Sequence, residues 1–146
     1  MTVIDDIVDI FELLGDWDQR YQYLIELGEK LPTMPDKLKT EDNKVKGCMS
    51  DVWVSAYADA EDKQRLHYHG DCNTSVIKGV LAILIQMADG KTEDAISQVN
   101  ADELFERLKL DEHLSPNRHV GVYAIVELMK TQAAELNRIT PRVVSN

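Results

Sequence analysis

The stretch DVWVSAYADAEDKQRLHYHGDCNTSVIKGVLAILIQMADG, residues 51–90, passes from strand-like to helix-like patterning, and that passage decides the fold. Across residues 51–58 the β-branched and aromatic side chains Val52, Trp53, Val54 and Tyr57 read as a strand. Residues 59–63 are polar and turn-forming. Residues 64–70 then alternate Leu66 and Tyr68 against Arg65, His67 and His69, which predicts a second strand returning antiparallel to the first and closed by Gly70-Asp71. Next, Asn73, Thr74 or Ser75 can cap a helix whose residues, 75–90, are apolar nearly all round. A helix without a polar face belongs at the buried centre of a domain, and Gly90 is its natural C-terminal cap.

Working outward, residues 2–14 set Ile4, Ile7, Val8, Phe11 and Leu14 on one helical face, and Gly15 ends that helix. Asp16, with Gln19 three residues on, predicts a capping box. The helix it opens gathers Trp17, Tyr21, Leu24, Ile25 and Leu31, and Pro32 stops it. A polar connector punctuated by Pro32 and Pro35 leads back to the strands. On the other side, Thr92 opens a short helix and Asn100 with Glu103 opens another. Ser115 followed by Pro116 starts a last helix that runs to about Asn137, and residues 138–146, with Pro141, are expected to form a loose tail. The expected fold class is α+β: a small antiparallel sheet of two to three strands against flanking helices, in one domain spanning residues 1–146.

Composition agrees, with 44% hydrophobic and 29% charged residues in a chain of 146. The net charge of -10 is uneven: residues 1–42 carry eleven acids and four bases, residues 43–146 fifteen acids and twelve bases. Such a field disfavours nucleic acid and anionic membrane surfaces as partners. A basic protein partner suits it, although acidity also serves solubility alone. The longest apolar run, residues 80–85, is far too short to span a bilayer. The acidic N-terminus lacks the basic region and cleavage site of a signal peptide, so a cytoplasmic location is expected.

Two cysteines, Cys48 and Cys72, are too few for a disulfide scaffold and form no CxxC pair. In KVKGCMSDVWV, residues 44–54, Cys48 follows Lys44, Lys46 and Gly47 at a loop-to-strand junction. Nearby cations favour the thiolate, and the glycine lets the backbone turn sharply before it. Free cysteine is equally at home as a small buried hydrophobe, so local features leave Cys48 open between the two readings. Cys72, beside Asp71, reads as structural, with a resolving role toward Cys48 as the weaker alternative. His67 and His69 share a strand face; with Cys48 and Cys72 they make a candidate four-ligand metal set, though such pairs are common without metal. Arg118 falls in the first turn of the last helix. A cation there is unfavourable unless it faces an anion such as a thiolate, a persulfide or a nearby carboxylate.

Four segments taken in order, DWDQRYQYLIELGEKLP (residues 16–32), VKGCMSDVW (45–53), GDCNTSVIKGVLAIL (70–84) and LSPNRHVGV (114–122), resemble the SufE family, which includes the CsdE proteins. The resemblance spans about residues 11–136. It implies the fold that SufE shares with IscU-type scaffolds, and a sulfur-acceptor role in iron–sulfur cluster assembly. Cys48 would take sulfane sulfur from a SufS/CsdA-type cysteine desulfurase, stimulate that enzyme, and pass the sulfur to a SufBCD-type scaffold complex. Cys48 would carry only a transient persulfide. No resident cofactor or metal is implied, because pyridoxal phosphate belongs to the desulfurase. Arg118 matches the family's arginine after Ser/Thr-Pro, and Asp71 an acidic position that bears on docking and on the cysteine loop. Lys46 and Gly47 become thiolate support and loop turn, while Lys78 and Gly79 match the start of the central helix in a structural role. Two departures stand out: Cys72 replaces a small residue, and Met49 a polar one. The competing reading is a scaffold-type module holding zinc or a nascent cluster through Cys48, Cys72 and a histidine. The cysteine count speaks against it, since IscU-type scaffolds use three.

Overall fold

A computed structural model of the chain describes residues 2–139. Among them are six α-helices and three strands: α1 Val3–Leu14, α2 Trp17–Glu29, β1 Val52–Ala58, β2 Arg65–Cys72, α3 Ser75–Ala88, β3 Lys91–Thr92, α4 Glu93–Ile96, α5 Ala101–Leu108 and α6 Pro116–Ile139. The α+β class expected from patterning is what forms. The last helix continues two residues beyond Asn137, and the expected loose tail from residue 140 onward lies outside the described residues.

The strands pair antiparallel in the order β1-β2-β3, with Val52 opposite Cys72 and Ala58 opposite Leu66. β3 adds two residues, Lys91 and Thr92, opposite Leu66 and Arg65. The period of two sends Leu66, Tyr68, Gly70 and Cys72 into the core, and leaves Arg65, His67, His69 and Asp71 on the outer face. β2 therefore runs through Gly70-Asp71 instead of ending there. Gly70 is paired with Val54 and lies under α3, where a Cβ would stand 2.7 Å from Ile85 Cδ1.

α3 is the buried centre, with Val80, Leu81, Ile83 and Leu84 inaccessible to solvent. α2 crosses it at glycines. A Cβ on Gly79 would stand 2.0 Å from Leu24 O, and one on Gly28 would stand 2.9 Å from Gly79 N. The two backbones thus come closer than any side chain allows. Helix starts follow the caps. Thr2 and Asp5 form a reciprocal capping box, and the Asp16, Thr92 and Asn100 side chains accept from Gln19, Ala95 and Asp102 N–H.

The outer edge of β1 is closed in two ways. Residues 43–45 pair with it through Val45 N–H to Val52 O (2.8 Å) and Val54 N–H to Asn43 O (2.9 Å). Further along, Gln132 of α6 acts like a short strand segment: its Nε2 donates to Val54 O (2.8 Å) and its Oε1 accepts from Ala56 N–H (2.9 Å). The same Nε2 reaches Asn43 Oδ1 at 3.2 Å. The chain leading to Cys48 is thus anchored to both the sheet and α6.

Candidate functional site

Gly47 adopts φ +86°, a left-handed conformation suited to glycine, and turns the chain so that Cys48 points back at the domain. The Cys48 side chain is half-buried and free of any disulfide. Met49 next to it is 82% exposed, an apolar side chain offered to solvent at the loop tip. Beyond it the chain is fixed again. Ser50 Oγ and Thr74 Oγ1 lie 2.6 Å apart, and Asp51 N–H donates to Asn73 Oδ1 at 3.0 Å. Thr74 is the N-cap of α3, yet its hydroxyl goes to Ser50 and not to the helix. Among the described residues, 47–49 make none of these anchoring bonds.

A cavity of about 270 Å³ opens beside the thiol, lined by Cys48 and Met49, by Asn73, Thr74 and Ile77 at the start of α3, and by Ser115, Asn117 and Arg118 at the start of α6. The sequence-expected partners Cys48 and Arg118 thus share one cavity. Arg118 is exposed and, among the described residues, makes no ion pair. The first turns of both flanking helices line the space, and the positive ends of the helix dipoles favour a negative ligand there.

The lysines expected beside the thiol are committed elsewhere. Lys46 Nζ lies 2.6 Å from Glu41 Oε2, both exposed, and Lys44 Nζ lies 3.2 Å from Asp51 Oδ1. Asp71 is also outside the cavity. It sits on the outer face opposite Trp53, with Lys39 Nζ at 2.8 Å and Lys78 Nζ at 3.2 Å. Partial burial works to raise its carboxyl, but bonds from Lys39, Lys78 and the Cys72 N–H outweigh this and hold it below its usual range. Lys39 also lies 5.5 Å from the Trp53 ring centroid, so the connector before the cysteine loop is strapped across the outer face of the hairpin.

Cys72 ends β2 in the core, 6% exposed. Burial pushes its thiol up to about 11; the Thr74 N–H at 3.4 Å partly opposes this, while Cys48 and Asp71 reinforce it. Burial thus disfavours its thiolate, in line with the structural reading of its sequence position. The candidate metal set does not assemble. Cys72 faces inward whereas His67 and His69 face outward. Both His67 nitrogens are already taken, by Asp89 Oδ1 at 2.6 Å and Asp59 Oδ1 at 2.7 Å. His69 stacks on Tyr57 with ring centroids 4.7 Å apart. Among the described residues no group of three histidine, cysteine or acidic side chains is placed to hold a metal ion.

Sequence reasoning missed Gly121. It lies in the second turn of α6, and the three atoms nearest to where its Cβ would stand all belong to Cys48. The signal available was a glycine inside an otherwise good helix former. Gln132, which anchors the root of the loop, gave no sequence signal.

Residues 5–133 match the family described as "SufE: Fe-S metabolism associated domain". An uncharacterized SufE-like protein of Rhizobium meliloti is 38% identical over 135 residues, covering 91% of this chain and 96% of the relative. A second, from Rhizobium etli, is 34% identical over 134 residues, covering 91% and 90%. The solution structure of a hypothetical protein from Thermus thermophilus superposes with a TM-score of 0.74 at 19% identity, over 94% of this chain and 99% of that one, a likeness of fold. Among the described residues no helix is long and apolar enough to cross a membrane.

Proposed function

The chain belongs to the SufE family, a domain of iron–sulfur metabolism, and on that footing we propose that Cys48 is the acceptor of sulfane sulfur from a cysteine desulfurase. The observation that carries the reading is the placement of Cys48: a loop that turns at Gly47, a half-buried thiol, and a cavity shared with Arg118. The Cys48 thiolate attacks the outer sulfur of the enzyme's cysteine persulfide. A new S–S bond forms at Cys48, the enzyme's S–S bond breaks, and the enzyme's cysteine leaves as thiolate. No net oxidant is needed. The chain gains a persulfide, and the desulfurase, relieved of its sulfur, turns over faster.

The later step delivers that sulfur to a SufBCD-type scaffold, again by thiolate exchange. The chain needs no resident cofactor for either step, since carbon–sulfur cleavage on pyridoxal phosphate belongs to a SufS/CsdA-type partner. Arg118 and the two helix N-termini stabilise the anionic sulfur left on Cys48. Asp71 holds the strap that leads to the loop.

The test is to mix the protein with a SufS/CsdA-type desulfurase and cysteine and to map sulfur adducts by intact and peptide mass. One added sulfur on Cys48, absent in Cys48→Ser, is the expected result. An unmodified Cys48 with faster desulfurase turnover would instead assign the protein a regulatory role without chemistry.

A further inference from the structure

Three helical glycines in this chain leave room for another group, and they leave it for different neighbours. Gly28 and Gly79 make room for each other's helix backbone. Gly121 makes room for one side chain: its absent Cβ would stand 2.7 Å from Cys48 Sγ, 3.5 Å from Cys48 Cβ and 3.8 Å from Cys48 Cα. Non-bonded heavy atoms settle at roughly 3.5–4 Å, so a methyl group there displaces the thiol and not the β-carbon. Gly121 is buried in regular helix, where glycine weakens the helix relative to alanine, and no positive φ calls for it.

We propose that Gly121 is a positioning residue: the notch left by its missing side chain seats the resting Cys48 thiol against α6 and turns the free side of the sulfur toward the cavity lined by Arg118. This deepens the acceptor reading and rests on it for its purpose, though the seat itself is testable without any desulfurase. At rest the helix backbone covers one side of the thiol. A second sulfur, about 2 Å further out, has no room on that side and extends into the cavity shared by Ser115, Asn117 and Arg118. Release of the thiol for transfer is a swing of residues 47–49 about Gly47 that leaves the seat empty.

The experiment is a thermal double-mutant cycle joined to thiol labelling. Gly121→Ala is placed in the wild-type and in the Cys48→Ala background, and melting is followed by circular dichroism. In the wild type the added methyl meets Sγ and the melting temperature falls. With Cys48→Ala the sulfur is gone, and the same substitution is neutral or raises the melting temperature through helix propensity. If Gly121→Ala alone does not fold while the double variant does, the seat is supported in its strongest form. Equal loss in both backgrounds, or failure of both to fold, overturns it, because the glycine then serves general packing. In the folded Gly121→Ala protein, iodoacetamide labelling of Cys48 should accelerate at least about fivefold as the thiol is unseated. An unchanged labelling rate overturns the proposal even if sulfur loading of Cys48 is normal. Seating that passes these tests while no sulfur loads would overturn only the acceptor reading.

Discussion

The two ends of the β1–β2 hairpin are closed in opposite ways. At the turn end, His67 is held between the carboxylates of Asp59 and Asp89, which ties both strands to the end of α3 by charge. At the other end the strand termini are stitched by neutral bonds among Ser50, Asp51, Asn73 and Thr74. There the charges are paired off outside the cavity, Lys44 with Asp51 and Lys39 and Lys78 with Asp71, while Arg118 stands beside a thiol that a glycine notch receives. The locked end has both nitrogens of its histidine satisfied by carboxylates. The cavity at the open end is lined by a half-buried thiol, an arginine with no ion pair among the described residues, and an exposed methionine.

The largest test of that contrast uses the two thiols of the open end against each other. Burial pushes the Cys72 thiol up to about 11, which disfavours its thiolate, and the same burial closes it to reagents, whereas Cys48 is half-buried beside a cavity. Iodoacetamide at pH 8 should therefore label Cys48 and leave Cys72 nearly untouched over the same time, read by peptide mass. Cys72→Ser should leave sulfur loading intact. Comparable labelling of both thiols would erase the distinction between a hinged and a fixed cysteine.

The next effect falls on the anchor of the open end. Gln132→Ala removes the partners of Val54 O and Ala56 N–H at the β1 edge and the bond to Asn43. Leaving part-buried backbone groups unpaired costs about 1–3 kcal/mol, measurable by urea unfolding. Hydrogen exchange at Ala56 N–H should quicken in the variant while the His67 end stays protected. If both ends loosen together, the hairpin is one cooperative unit and its ends are not separately closed.

Patterning made the fold legible because each element advertises a different period. The alternation of Leu66 and Tyr68 against the histidines, and the all-round apolarity of α3, leave one arrangement in which both are buried. Gly70 was less legible. In sequence it resembles a turn, and only the approach of Leu81 and Ile85 shows it as a place where helix meets strand. In the site, Cys48 and Arg118 each stand out on a local motif, and the fold brings the two to one cavity. Lys46 was assigned to the thiol on proximity in sequence, but proximity says nothing of where a long side chain turns, and it turns to Glu41. Gly121 and Gln132 act on residues 73 and 89 positions away, a separation at which patterning carries no signal.

A smaller effect is expected on the strap. Asp71→Asn leaves Lys39 and Lys78 without their shared carboxylate, and a melting temperature lower by about 2–4 °C is expected at neutral pH. The carboxyl is held below its usual range in the folded state, so its contribution is present above the unfolded value of about 3.9 and disappears as pH falls through the folded one. The wild type and Asp71→Asn should accordingly converge in acid. Persistence of the difference at the lowest pH where both fold would mean that shape, not charge, holds the strap.

The smallest effect belongs to the locked end, and its sign is opposite. Asp89 and then Asp59 hold the His67 imidazolium, raising its pKa above the ordinary value of about 6.5, with partial burial opposing. Asp59 in turn is held down to about 2, so it stays ionised throughout. A group with a raised folded pKa contributes fully below its unfolded value and loses that contribution as pH rises through the folded one. His67→Gln should therefore lower the melting temperature by about 1–3 °C near pH 6, with the gap closing as pH rises past the folded pKa. Sulfur loading of Cys48 should not change, because the clamp lies at the far end of the hairpin. A loss of loading in His67→Gln at unchanged stability would show that the two ends communicate through β2, and the division between a locked end and an open end would have to be withdrawn.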